Sequence, residues 1–218
     1  MSWRIECVVV GPIHCNCYIL SDTVSRKAYL IDPGAESKEL STYLEQSGLE
    51  LQGMLITHSH IDHIGGIEDV SAQFPVPVYY HPGDKPLYDD VMGQARLFGL
   101  MPAQLQAKQP KAQPQSVEDG QRLPMEGGTI EIVHTPGHTP GSICFRTLGE
   151  QEVVFSGDTL FDGSIGRTDL WGGSFEQIIR SIKERLMVLD DKVKVLPGHG
   201  EHTTIGAERR FNPFLISG

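Results

Sequence analysis

A chain of 218 residues with 39% hydrophobic and 21% charged side chains is long enough for one large domain with a full core and has the balance of an ordinary globular protein. With 18 basic against 28 acidic residues the formal charge is −10, which sets the surface as a whole against nucleic acid and anionic membranes as partners. No apolar run approaches the roughly 18 residues of a membrane span, and Arg4 and Glu6 interrupt the stretch where a signal peptide would be apolar, so a cytoplasmic location is expected.

Ile5 to Val10 and Cys15 to Leu20 read as two strands of an antiparallel hairpin. The cysteines Cys7, Cys15, Cys17 and Cys144 lie in or beside apolar stretches without a C-x-x-C pair, as buried free thiols do. A third strand, Ala28 to Ile31, ends at Asp32-Pro33-Gly34, where Asp32 reads as a turn former rather than as support for a site. Ser37 caps a helix with Leu40, Tyr43 and Leu44 on one face, stopped by Gly48. Met54 to Ile56 is a short buried strand, Ile67 to Phe74 a short helix, Val76 to Tyr80 a strand and Asp84 to Phe98 a helix. Pro102 to Gln115, rich in Gln, Lys and Pro and without periodicity, reads as an exposed loop rather than core.

Strands are expected at Thr129 to Val133, Ser142 to Phe145, Glu152 to Phe155 and Val193 to Leu196. Between the last two, Ser174 and Gln177 form a capping-box pattern at the head of an amphipathic helix with Phe175, Ile178, Ile179, Ile182 and Leu186 as core. Ala207 to Leu215 is a short closing helix. No linker-like stretch divides the chain, so a single domain over residues 1–218 is expected.

The segment Thr57-His58-Ser59-His60-Ile61-Asp62-His63 carries the chemistry. Three histidines and an aspartate so close together are a metal signal, because imidazole and carboxylate are the usual ligands of zinc, iron and manganese. Downstream the pattern recurs: His138, Asp158 and His199 each follow an apolar strand and a glycine-bearing turn. Ligands placed at strand ends converge on a rigid support. His14, His81, His134 and His202 lack such company and read as structural or substrate-side.

This set, with Gly137-His138-Thr139, Gly157-Asp158-Thr159 and Pro197-Gly198-His199-Gly200, resembles the metallo-β-lactamase superfamily. Gly157-Asp158-Thr159-Leu160-Phe161, Gly166-Arg167-Thr168-Asp169 and the closing Phe211-Asn212-Pro213-Phe214-Leu215 are similar to its short glyoxalase II-like (hydroxyacylglutathione hydrolase-like) members. The resemblance implies an α/β fold, an αββα sandwich of two mixed β-sheets flanked by helices. It implies that His58, His60 and His138 bind a first metal, that Asp62, His63 and His199 bind a second, and that Asp158 bridges both. Five neutral imidazoles and two carboxylates on two divalent ions leave about +2, or about +1 with a bridging hydroxide, a charge suited to an oxyanion or thiolate. Zinc is the expected metal, with iron and manganese also compatible.

The activity so implied is binuclear hydrolysis of a thioester, with a hydroxyacylglutathione as leading substrate, a metal-bridging hydroxide as nucleophile and Asp62 and Asp158 as catalytic carboxylates. A thiol leaving group of pKa about 8.5 hardly needs a general acid. Arg167 stands where the resembled family carries a glutathione-binding lysine. It reads either as a substrate anchor or as a structural fork to Asp169. The sequence ends before the basic helical region of full-length glyoxalase II, so weaker discrimination among thioesters is expected. The alternatives are a mononuclear iron persulfide dioxygenase-like enzyme, which shares a Gly-Arg-Thr-Asp stretch, and a nucleic-acid-processing member. True β-lactamases are set apart by a cysteine where Asp158 stands.

Overall fold

The β-branched and aromatic runs pair into two mixed sheets, each of six strands among the described residues. The protein is seen here in a computed structural model that describes residues 3–97, 99–149 and 151–216. The chain divides into two compact units, Met1–Ser116 and Val117–Gly218, and each contains one of these sheets.

In the first unit β1 (Trp3–Val10), β2 (Cys15–Asp22) and β3 (Lys27–Ile31) run antiparallel. β4 (Glu50–Leu55), β5 (Val78–Tyr80) and β6 (Gln115–Ser116) then continue parallel to β3. β2 is buried at every position, whereas the edge strand β1 turns Cys7 and Val9 to solvent. Helix α1 (Lys38–Ser47) starts where Ser37 Oγ accepts the Leu40 N–H at 3.2 Å and ends at Gly48, whose φ of 65° suits a residue without a Cβ. α2 (Ile61–Ile64) and α3 (Ile67–Gln73) follow β4. Ile19, Leu30, Met54 and Ile56 are fully buried in this unit's core, each contributing roughly 1.5–3 kcal/mol.

Two expectations change here. The single helix expected over Asp84 to Phe98 is broken into a 3₁₀ turn, α4 (Lys85–Tyr88) and α5 (Val91–Leu97), and Phe98 lies outside the described residues. Gln109 makes the break tenable, accepting the Val91 N–H at 2.9 Å and donating to the Tyr88 carbonyl at 2.8 Å. The segment expected as exposed loop from Pro102 sends Leu105 and Ala107 into the core. Isolated apolar residues among polar ones carry no periodicity to announce this.

The second unit orders its strands β14-β13-β10-β9-β8-β7: β7 (Arg122–Met125), β8 (Gly128–His134), β9 (Ile143–Gly149), β10 (Val153–Gly157), β13 (Lys194–Pro197) and β14 (Thr203–Thr204). β10 and β13 are the parallel pair, and β11 (Leu160–Phe161) with β12 (Ser164–Ile165) forms a separate hairpin. Ser174 caps α6 (Phe175–Ser181) through the Gln177 N–H at 3.3 Å. The helix then widens into a π turn, Ile182–Leu186. Ile178, Ile182 and Leu186 are fully buried, but Phe175, expected in the core, is 53% exposed. It occupies the first helical position, and the buried stripe begins one turn later. α7 (Ile205–Phe211) and α8 (Pro213–Ile216) close the chain. Among the described residues no helix is long and apolar enough to cross a membrane.

Cys15, Cys17 and Cys144 are buried free thiols as expected, but Cys7 is exposed on the edge strand. Burial pushes the Cys15 thiol up to about 12 and the Cys144 thiol up to about 11, so neither forms appreciable thiolate near neutrality. A disulfide reagent at pH 8 is expected to titrate one thiol per folded chain, at Cys7, and all four after denaturation. Labelling of Cys15 in the folded protein would refute its placement.

Candidate metal centre

Three parallel strands of the first unit end at one edge, the usual place for a ligand site in such sheets. A polar segment follows each: Asp32 after β3, residues 57–63 after β4 and His81 after β5. His58 and His63 are buried, with ring centroids 4.0 Å apart and that of His60 4.8 Å from His58. His63 Nε2 lies 3.8 Å from Asp62 Oδ2. In the second unit, Asp158 follows β10, His199 follows β13 and His138 follows β8 across a short turn. Asp158 Oδ2 is 3.7 Å from His138 Nε2 and 3.8 Å from His199 Nε2.

These separations test whether metal ions suit the side chains. They exceed hydrogen-bond length, whereas two ligands of one tetrahedral ion, at bonds of about 2.05 Å, sit roughly 3.3 Å apart. The values near 3.8 Å are within half an ångström of that spacing, so the residues fit as ligands.

The far sides of the rings are fixed. His63 Nδ1 lies 2.9 Å from Asp32 Oδ2 and His138 Nδ1 lies 2.7 Å from the Arg167 carbonyl. Both partners only accept, so each Nδ1 carries the proton and each Nε2 keeps its lone pair for an ion. Asp32 turns the chain as its sequence context suggested, but, against that reading, it also supports the site. Its φ of 51° does place it in a turn, but the buried carboxylate also accepts from Thr57 N at 2.8 Å and Thr57 Oγ1 at 2.6 Å.

Two glycines allow the necessary backbone approach. A Cβ on Gly34 would lie 1.7 Å from the Asp62 carbonyl oxygen, and one on Gly166 would lie 1.8 Å from that of Asp158.

Sequence reasoning missed Asp84 and Gln94. Both are buried and hold the backbone of the histidine segment: Asp84 Oδ2 accepts the Ser59 N–H at 2.9 Å, and Gln94 bonds to Ser59 and Ile61. A single polar residue in a helix reads as part of a solvated face, so nothing in the sequence singles them out. His81 caps its own 3₁₀ turn through Gly83 N, and His134 Nε2 lies 3.0 Å from the Pro140 carbonyl. The Arg167 side chain forks onto Asp169 at 2.7 and 2.8 Å and holds that carboxyl down at about 2. Both groups are more than half exposed, so the pair adds little to stability.

Residues 10–199 match the family described as the metallo-beta-lactamase superfamily. The chain belongs to that superfamily. An uncharacterized protein of Mycobacterium leprae is 45% identical, covering 94% of this chain and 95% of that one. Hydroxyacylglutathione hydrolase GloC of Haemophilus influenzae is 39% identical over 98% and 99% of the two chains. The crystal structure of BLEG-1 B3 metallo-beta-lactamase superposes with a TM-score of 0.88 at 36% identity, covering 97% and 99%. That of TTHA1623 in a di-iron-bound form gives 0.83 at 37%, covering 96% and 100%. The metallo-β-lactamase fold expected from the sequence is thereby established. With its His/Asp metal-binding clusters the chain is a metal-dependent hydrolase of this superfamily.

Proposed function

We propose that the ligands of both units serve one centre of two divalent ions that hydrolyses thioesters, with a hydroxyacylglutathione as leading substrate. In this reading His58, His60 and His138 hold one ion, Asp62, His63 and His199 the other, and Asp158 bridges. The observation that carries it is the Asp158 carboxylate oxygen beside two imidazole nitrogens at nearly equal distance. GloC's likeness over almost the full length of both chains supports the substrate class. Zinc and iron both accept the donor set, and the di-iron form of TTHA1623 makes iron a full competitor to the zinc expected from the sequence.

When bound, the ions bring the pKa of water toward neutrality and polarise the substrate carbonyl. The chain's own residues do the rest. Asp158 supplies negative charge between the cations, and Asp62, with its side chain 18% exposed, accepts a hydrogen bond from the attacking water and orients it. The partly buried Phe161 ring, 6.5 Å from that of His199, gives the substrate an apolar surface. The fork to Asp169 engages Arg167 Nε and Nη2, which leaves the Nη1 donors of the half-exposed guanidinium for an anionic substrate.

Elemental analysis coupled to a panel of acyl-glutathione, acyl-coenzyme A and simple thiol esters tests the proposal. Two metals per chain and thioester turnover are expected. One iron with oxygen uptake on a persulfide would replace it with the dioxygenase reading. BLEG-1 favours one further assay, a β-lactam, on which activity exceeding that on every thioester would overturn the substrate class.

A further inference from the structure

We infer that Gln94 is a positioning residue for the metal-binding loop, supplying from another helix the cap that the loop's own helix lacks. This rests on the reading of residues 58–63 as metal ligands, and adds a residue outside the ligand set. α2 is a single turn carrying Asp62 and His63, and His60 at its N-cap makes no side-chain capping bond. An isolated turn of this length does not hold itself together, and its first N–H groups need partners.

Gln94, 33 residues away on α5, provides one: its Oε1 accepts the Ile61 N–H at 2.9 Å. Its Nε2 donates to the Ser59 carbonyl at 2.9 Å and to the Leu87 carbonyl at 2.8 Å. The carboxamide therefore grips the backbone on both sides of His60, and Asp84 holds the remaining N–H of Ser59. Only an amide accepts and donates twice from one planar group. Glutamate has the same shape but would set acceptors against two carbonyls. The chemistry fits orientation of ligands, since the bonds end on backbone at residues 59 and 61 and thereby fix where His60 and Asp62 project.

The test uses the full chain with zinc as probe, measuring affinity by competition with a chromophoric chelator and melting of the metal-free protein by circular dichroism. Gln94→Glu removes both donors, and Gln94→Met, which buries no charge, carries the test should Gln94→Glu not fold. Gln109→Met is the control, because it deletes the same two kinds of backbone bond at the α4–α5 junction without touching the loop. The Gln94 variants are expected to weaken zinc binding by about tenfold or more, within the range seen when support for a ligand is removed. Gln109→Met is expected to lower the melting temperature and leave zinc affinity within about fivefold of wild type. A smaller loss in the Gln94 variants, or an equal loss in Gln109→Met, overturns the inference. A wild-type chain that binds no zinc would instead sink the metal-centre reading.

Discussion

Asp158→Ala is expected to lower turnover by about 10³-fold or more and to release at least one of two bound ions. The magnitude follows from the several kcal/mol that a metal pair supplies to the transition state. It also follows from the position of Asp158, whose Oδ2 stands 3.7 Å from His138 Nε2 and 3.8 Å from His199 Nε2. Alanine leaves two cations to be held with one carboxylate fewer between them, and their repulsion ejects the more weakly held one. Elemental analysis and steady-state kinetics on the same preparation read both effects. Full activity with two retained metals would show that Asp158 does not bridge. His81→Ala and His134→Ala, whose rings bond to Gly83 N and to the Pro140 carbonyl, are expected to keep their metal content.

Asp32→Ala acts on stability and metal together. Thr57 N, Thr57 Oγ1 and His63 Nδ1 all direct their hydrogens at this one buried carboxylate. Leaving buried donors without an acceptor costs about 1–3 kcal/mol each, so a loss of about 3 kcal/mol or more is expected, equivalent to roughly 6–12 °C for a chain of this length. His63 also loses the partner that fixes its tautomer, which weakens metal binding by about 10- to 100-fold. Denaturant titration of the metal-free chain isolates the first effect and chelator competition the second. A variant as stable as wild type would mean the carboxylate is not the hub described.

The seven candidate ligands were legible because histidine and aspartate recur at the ends of apolar strands, a density that ordinary surfaces lack. Their support was much less so. Asp32 reaches residues 25 and 31 positions later through the pairing of β3 with β4, and Gln94 reaches back 33 and 35. Such contacts exist only once parallel strands and helices have packed. The long strands and both serine caps were readable from period and end signals. β6, β11, β12 and β14, of two residues each, are too short to show any alternation and depend on their neighbours. Pro102–Leu105 and Ala107 were missed for a related reason, as one apolar residue in a polar stretch has no phase.

The bond from His138 Nδ1 goes to the main-chain oxygen of Arg167 rather than to its side chain. Evolution or an engineer can therefore rewrite the identity of position 167 while the imidazole keeps its tautomer and its aim. Gly166 next to it has no such latitude, pressed against the Asp158 carbonyl. Variants across a saturation library at 167 should therefore share one metal content, whatever each does to selectivity.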